Sequence, residues 1–123
     1  MHYLLVAAGG ALGAMLRYWV YNAGPFSEDR SALATVGVNV AGSFLIGVAY
    51  VLLTEKSGLA PEWRSLVTVG FLGAFTTYST YSLDALRLLE KGLYGFALIY
   101  LLGTMLVCLL AAWLGLALSR IVF

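Results

Sequence analysis

Seven hydroxyl side chains stand in succession at Thr76-Thr77-Tyr78-Ser79-Thr80-Tyr81-Ser82, inside an otherwise apolar region. None ionises at neutral pH, so their chemistry is hydrogen bonding. Seven consecutive positions cover every side of a helix and cannot form one buried seam. Gly70 and Gly73 precede them, and Ser and Thr side chains compete for backbone hydrogen bonds, so a helix break is expected near Gly73–Thr77. Such a break leaves free carbonyls at the end of one half-helix and free N–H groups at the start of the next, ready ligands for a cation and an anion respectively. The alternative is a continuous helix whose hydroxyls bond back to the i−4 carbonyl or join neighbouring helices.

Other polar groups fall at helical spacing. Tyr100, Thr104 and Cys108 recur at i, i+4 and i+8 and form one stripe. Asn39 and Ser43 lie one turn apart, and Asn39 is the only amide within any apolar stretch, able to donate two hydrogen bonds. Arg17 lies about 20 Å along its stretch, where it either snorkels to the interface or lines an aqueous vestibule that concentrates anions. Asp84, beyond the hydroxyl run, falls near the end of its stretch on the same side and is a candidate partner for Arg17. Gly9 and Gly13, with Gly10 and Ala14 beside them, have the spacing of close helix packing.

This inventory of hydroxyls, an amide and aromatic rings excludes several chemistries. Cys108 is the single cysteine and His2 the single histidine, so no disulfide or Cys-based zinc cluster is available. No nucleophile–base pair or metal-ligand set supports an enzyme. A net charge of +1 gives no field for nucleic acid. A proton-coupled cation exporter needs an embedded ionisable carrier, and the first apolar stretch has no carboxylate. Hydrogen-bond donors and positive ring edges instead suit a small, strongly hydrated anion, whose lost water donors must replace.

The elements that hold these groups must be membrane helices. In the 123-residue chain, hydrophobic residues make up 62% and charged residues 11%, and the mean hydropathy is +0.93. A soluble domain this small would lack the polar groups to cover its surface. Charged residues divide the chain into four apolar stretches, about 3–21, 33–53, 65–89 and 93–118, each near or above the roughly 20 residues that cross about 30 Å of hydrocarbon. The expected fold is therefore all-α and integral to the membrane: one transmembrane domain over residues 1–123, with four transmembrane helices and the third broken near mid-membrane. Pro25 and Pro61 fall where breaks are harmless, and Trp19, Tyr21 and Trp63 near span ends as headgroup-level anchors.

With alternating spans, Lys56, Arg64 and Arg120 share one face, and Arg30, Arg87 and Lys91 the other. Orientation needs an excess of positive charge on one face. A chain so nearly balanced is able to insert both ways, and two oppositely inserted copies can pair about a two-fold axis in the membrane plane.

Three strings resemble the signatures of the Fluc fluoride channels, the CrcB-like proteins: Gly9-Gly10-Ala11-Leu12-Gly13-Ala14-Met15-Leu16-Arg17-Tyr18, Thr35-Val36-Gly37-Val38-Asn39-Val40-Ala41-Gly42-Ser43-Phe44, and Gly70 through Tyr81. They fall in order in the first three stretches, and the likeness covers nearly the whole chain. It implies a dual-topology, antiparallel homodimer in the inner (plasma) membrane, with two pores that export fluoride passively. It also implies a structural Na⁺ at the dimer interface, held by the backbone carbonyls of Gly73 and Thr76. By the same likeness the fluoride pathway takes Asn39, Tyr78, Ser79, Thr80, Tyr81, Tyr100, Thr104 and Cys108, and Arg17 lines the vestibule. Two departures stand out. Cys108 replaces a hydroxyl, and Tyr78 and Tyr81 replace the two phenylalanines of the family's Thr-Thr-Phe-Ser-Thr-Phe, each adding a hydroxyl able to donate to fluoride or obstruct its path. Some relatives work only as pairs of different chains, so a heterodimer is an alternative. The remaining alternatives are a small dual-topology multidrug exporter and a non-transporting assembly subunit.

Overall fold

The computed structural model describes residues 1–23, 31–56 and 59–123; Pro25 and Arg30 lie outside them. Every element in it is helical. Helix α1 spans His2–Asn22. Helix α2 spans Ser31–Tyr50 and continues as a π-helical turn over Val51–Glu55. A π-helical segment, Arg64–Leu72, runs directly into the short α3, Gly73–Phe75. Helix α4 is Tyr78–Glu90, and α5 is Tyr94–Val122.

Three helical runs are long and apolar enough to cross a membrane: His2–Asn22, Ser31–Glu55 and Tyr94–Val122. The third apolar stretch is divided. Its halves, Arg64–Phe75 and Tyr78–Glu90, are separated by Thr76 and Thr77, both with extended backbone (φ −82°, ψ 161° and φ −151°, ψ 124°). The expected break is thus present, at the first two hydroxyls of the run. Back-bonding occurs beside it rather than instead of it: the Thr76 and Ser82 hydroxyls donate to the i−4 carbonyls of Leu72 and Tyr78.

Backbone proximity rather than side-chain bulk holds the helices together. Helix α1 lies along the π-helical segment and α3, and α2 lies along α5. A methyl group on Gly9 would overlap the Leu66 carbonyl oxygen, and one on Gly13 the Phe71 carbonyl oxygen, so the Gly-x-x-x-Gly face is a packing face. The same holds between α2 and α5, where a methyl on Gly115 would strike the Phe44 carbonyl. The largest fully buried side chains are only Val38, Val51 and Thr35, while Tyr3, Ile99, Trp113 and Ile121 face outward. Mostly small residues inside, with Leu72, Phe75 and Tyr81 the large exceptions, and many large apolar ones outside suit a bilayer. The chain is built as a multi-pass membrane protein.

Two side-chain pairings join the ends of helical segments. His2 Nδ1 meets Ser65 Oγ at 2.9 Å. Arg120 donates from Nε and Nη2 to the two carboxylate oxygens of Glu55, at 3.0 and 2.6 Å, in the bidentate geometry a guanidinium favours. These contacts pair the N-terminus with the start of the third stretch, and the end of the second with the C-terminal turn. Gly92 (φ +73°) closes α4. Its N–H bonds the Leu89 carbonyl and the Leu93 N–H bonds the Leu88 carbonyl, both at 2.9 Å, the two bonds of a Schellman cap.

Candidate functional site

Asn39 on α2 creates the centre of the site. Its Oδ1 accepts the Thr77 N–H and its Nδ2 donates to the Thr77 carbonyl, both at 2.8 Å. One amide side chain thus takes up both backbone groups of a residue that belongs to neither half-helix, in the manner of a neighbouring β-strand. The Thr77 hydroxyl accepts the Thr80 N–H at 3.2 Å and caps α4. It also donates to the Thr80 hydroxyl at 3.1 Å.

A groove of about 460 Å³ opens beside this clamp. Asn39, Ser43, Thr76, Thr77, Tyr78, Tyr81, Thr104 and Cys108 supply its polar and polarisable wall, and apolar side chains such as Ile46, Leu72 and Leu109 most of the remainder. Among the expected site residues, the groove brings together Asn39, Tyr78, Tyr81, Thr104 and Cys108 with Gly73 and Thr76. Thr104 is buried, and among the described residues its hydroxyl has no hydrogen-bond partner. Ser79, Thr80, Tyr100 and Arg17 do not line the groove. Ser79 is exposed, and Thr80 turns toward Thr77.

Tyr100 belongs instead to a buried polar cluster that the sequence reading did not assemble. Asp84, only 4% exposed, accepts at Oδ2 from the Thr35 hydroxyl at 2.7 Å and from the Tyr100 hydroxyl at 3.1 Å. Tyr21 on α1 meets the Thr35 hydroxyl in turn. The signal lay in spacing: Thr35 is one turn before Asn39, and Asp84 is three residues after Tyr81, so both extend the faces that line the groove. The expected pairing of Asp84 with Arg17 is not made. Arg17 Nη1 donates to the Thr76 carbonyl at 3.2 Å, drawn to the C-terminal end of α3, where carbonyls without helical donors attract a cation.

The break also decides which carbonyls are free. The Thr77 N–H, which in an unbroken helix would bond the Gly73 carbonyl, goes to Asn39. The Gly73 carbonyl is left without that donor, and the Thr76 carbonyl, with two lone pairs, keeps one beyond its bond to Arg17. Uncharged oxygens of this kind fit a hard cation such as Na⁺. Two of them from one chain are fewer than an ion needs to replace its water.

The model of a family described as CrcB-like protein, Camphor Resistance (CrcB), matches residues 4–116. The chain belongs to the CrcB-like family. Similar members include the "Fluoride-specific ion channel FluC" of Saccharophagus degradans, 44% identical over 96% of this chain and 89% of the relative. Those of Stutzerimonas stutzeri and Hahella chejuensis carry the same name, at 47% identity over 94% of both chains and 44% identity over 98% of this chain and 96% of the relative. Every string on which the CrcB-like resemblance rested, from Gly9 to Tyr81, lies within the matched residues.

Proposed function

We propose that this chain is a fluoride-selective channel that exports fluoride passively from the cytoplasm. The observation that carries this reading is the groove wall: neutral donors and ring edges around the Asn39 clamp, with no carboxylate among the lining residues. Fluoride holds its water tightly, so a route through hydrocarbon must offer hydrogen-bond donors in place of that water. Asn39 spends one amide hydrogen on Thr77 and retains the other, and the buried Thr104 hydroxyl is a second donor. Weak, repeated contacts of this kind let an ion enter and leave. The family membership and the printed names of the relatives support the same reading.

In this proposal the two halves of the third stretch together make a fourth crossing, and two inverted copies pair across the groove to enclose two separate pores. The near balance of Lys56, Arg64 and Arg120 against Arg30, Arg87 and Lys91 supports insertion in both directions. A Na⁺ at the interface would be held by the carbonyls of Gly73 and Thr76 with their counterparts in the second copy. It would supply a fixed positive charge that joins the broken helices. Arg17, at the Thr76 carbonyl, adds positive charge at the pore's aqueous approach.

Two measurements test these statements. Proteoliposomes given a membrane potential should release fluoride and retain chloride; equal release of both would overturn selectivity. Exchanging Na⁺ for a bulky organic cation should loosen the pair, seen as a shift from dimer to monomer in detergent, and an unchanged dimer would argue against a central ion. The exporter reading predicts proton-coupled uptake of aromatic cations in the same vesicles.

A further inference from the structure

Tyr78 and Tyr81 stand three residues apart on α4, and their hydroxyls have different surroundings. Tyr81 is 9% exposed and Tyr78 is 80% exposed. The Tyr81 hydroxyl donates to the Leu101 carbonyl, two turns into α5, at 2.6 Å. That carbonyl has a second lone pair for its own helical bond, so both are made together. The Tyr78 hydroxyl has no hydrogen-bond partner among the described residues. The rings form a ladder: Tyr81 lies 5.4 Å from Tyr78 and 5.3 Å from Tyr100 between centroids, tilted by 46° and 34°. These are favourable aromatic separations, and they hold Tyr81 between the groove and the Asp84 cluster.

A phenol whose hydrogen is already given to a carbonyl has none to give an anion, and its oxygen lone pairs repel one. What Tyr81 offers the groove is therefore its ring edge, as a phenylalanine would, but with the ring tied to the neighbouring helix. We infer that Tyr81 is a positioning residue of the fluoride path, its hydroxyl fastening the ring to α5, and that Tyr78 is the one of the two that donates a hydrogen bond to the ion. This rests on the channel reading above and divides between two residues a role the family resemblance gives to both.

The test uses the full chain in lipid nanodiscs, with ¹³C at the hydroxyl-bearing ring carbon of tyrosine; Tyr78→Phe and Tyr81→Phe assign the two signals. Replacing sodium chloride by sodium fluoride should move the Tyr78 signal and leave the Tyr81 signal in place. In proteoliposomes, Tyr81→Phe should lower fluoride efflux per reconstituted protein about fivefold, the equilibrium worth of one neutral hydrogen bond. p-Aminophenylalanine at position 81, which keeps a donor, should restore the efflux, and p-methoxyphenylalanine, which keeps only the bulk and the oxygen, should not. A Tyr81 signal that moves with fluoride, undiminished efflux in Tyr81→Phe, or rescue by the methoxy side chain would overturn the proposal. Failure of the channel reading looks different, because the unsubstituted protein would then release chloride as fast as fluoride, or neither. The Tyr81 signal in chloride still reports the bond in that case, and a position typical of a phenol in water would remove it.

Discussion

Replacing Asn39 with Asp is expected to cut fluoride efflux about a thousandfold. The substitution preserves shape and keeps an acceptor for the Thr77 N–H, but it removes the N–H that the Thr77 carbonyl receives at 2.8 Å. It also turns the uncommitted amide hydrogen into a carboxylate oxygen on the groove wall. A fixed negative charge about 4 Å from a passing anion costs about 4 kcal/mol at the effective dielectric of a partly buried site, which is about three orders of magnitude in rate. Asn39→Leu separates the two causes, since it abolishes both bonds to Thr77 without adding charge. It should reduce efflux by about tenfold, through a loosened break. Efflux from the aspartate variant within twofold of the parent, measured with a fluoride electrode on proteoliposomes, would take Asn39 off the pathway.

Gly13→Ala is expected to destabilise the protein by about 1–3 kcal/mol, the range for forcing a methyl group into a filled interior. In an isolated helix the same change stabilises by about 1 kcal/mol, so the sign alone identifies a packing constraint. The obstacle is the Phe71 carbonyl oxygen, with the Phe75 N–H group close behind it. Neither can swing aside as the end of a flexible side chain can, so α1 must lift from the third stretch. Gly95→Ala, in helix α5 with nothing within 4 Å of the added methyl, is the control and should leave stability unchanged or raise it by up to about 1 kcal/mol. Thermal midpoints in detergent compare the three proteins, and a Gly13→Ala midpoint at or above the parent's would remove this contact from the account of the fold.

Features governed by local chemistry were the ones legible in the sequence. The helix break was foreseeable because glycines and a hydroxyl run conflict with helix over a few residues. The packing face of Gly9 and Gly13 follows from spacing alone. Asn39 could be singled out as an unusual amide, but its two hydrogen bonds to Thr77 join positions 38 residues apart and depend on how α2 crosses the break. The surroundings of Asp84 were hidden for a related reason. Its place near the end of an apolar stretch suggested an accessible partner for Arg17, whereas α2 and α5 close over it and give it Thr35 and Tyr100. The π-helical stretches at Val51–Glu55 and Arg64–Leu72 could not be read from the sequence, because five and nine residues are too few for a wider turn to be told from an α-helical one by the spacing of their apolar positions.

The cap at Gly92 bears on how α4 and α5 are joined. Only Lys91, Gly92 and Leu93 separate α4 from α5, and the bonds from Gly92 and Leu93 back to Leu89 and Leu88 need nothing from the rest of the chain. A turn closed by bonds this local does not depend on the packing of α1 and α2. Because so short a turn joins α4 to α5, the direction in which α5 runs is tied to that of α4.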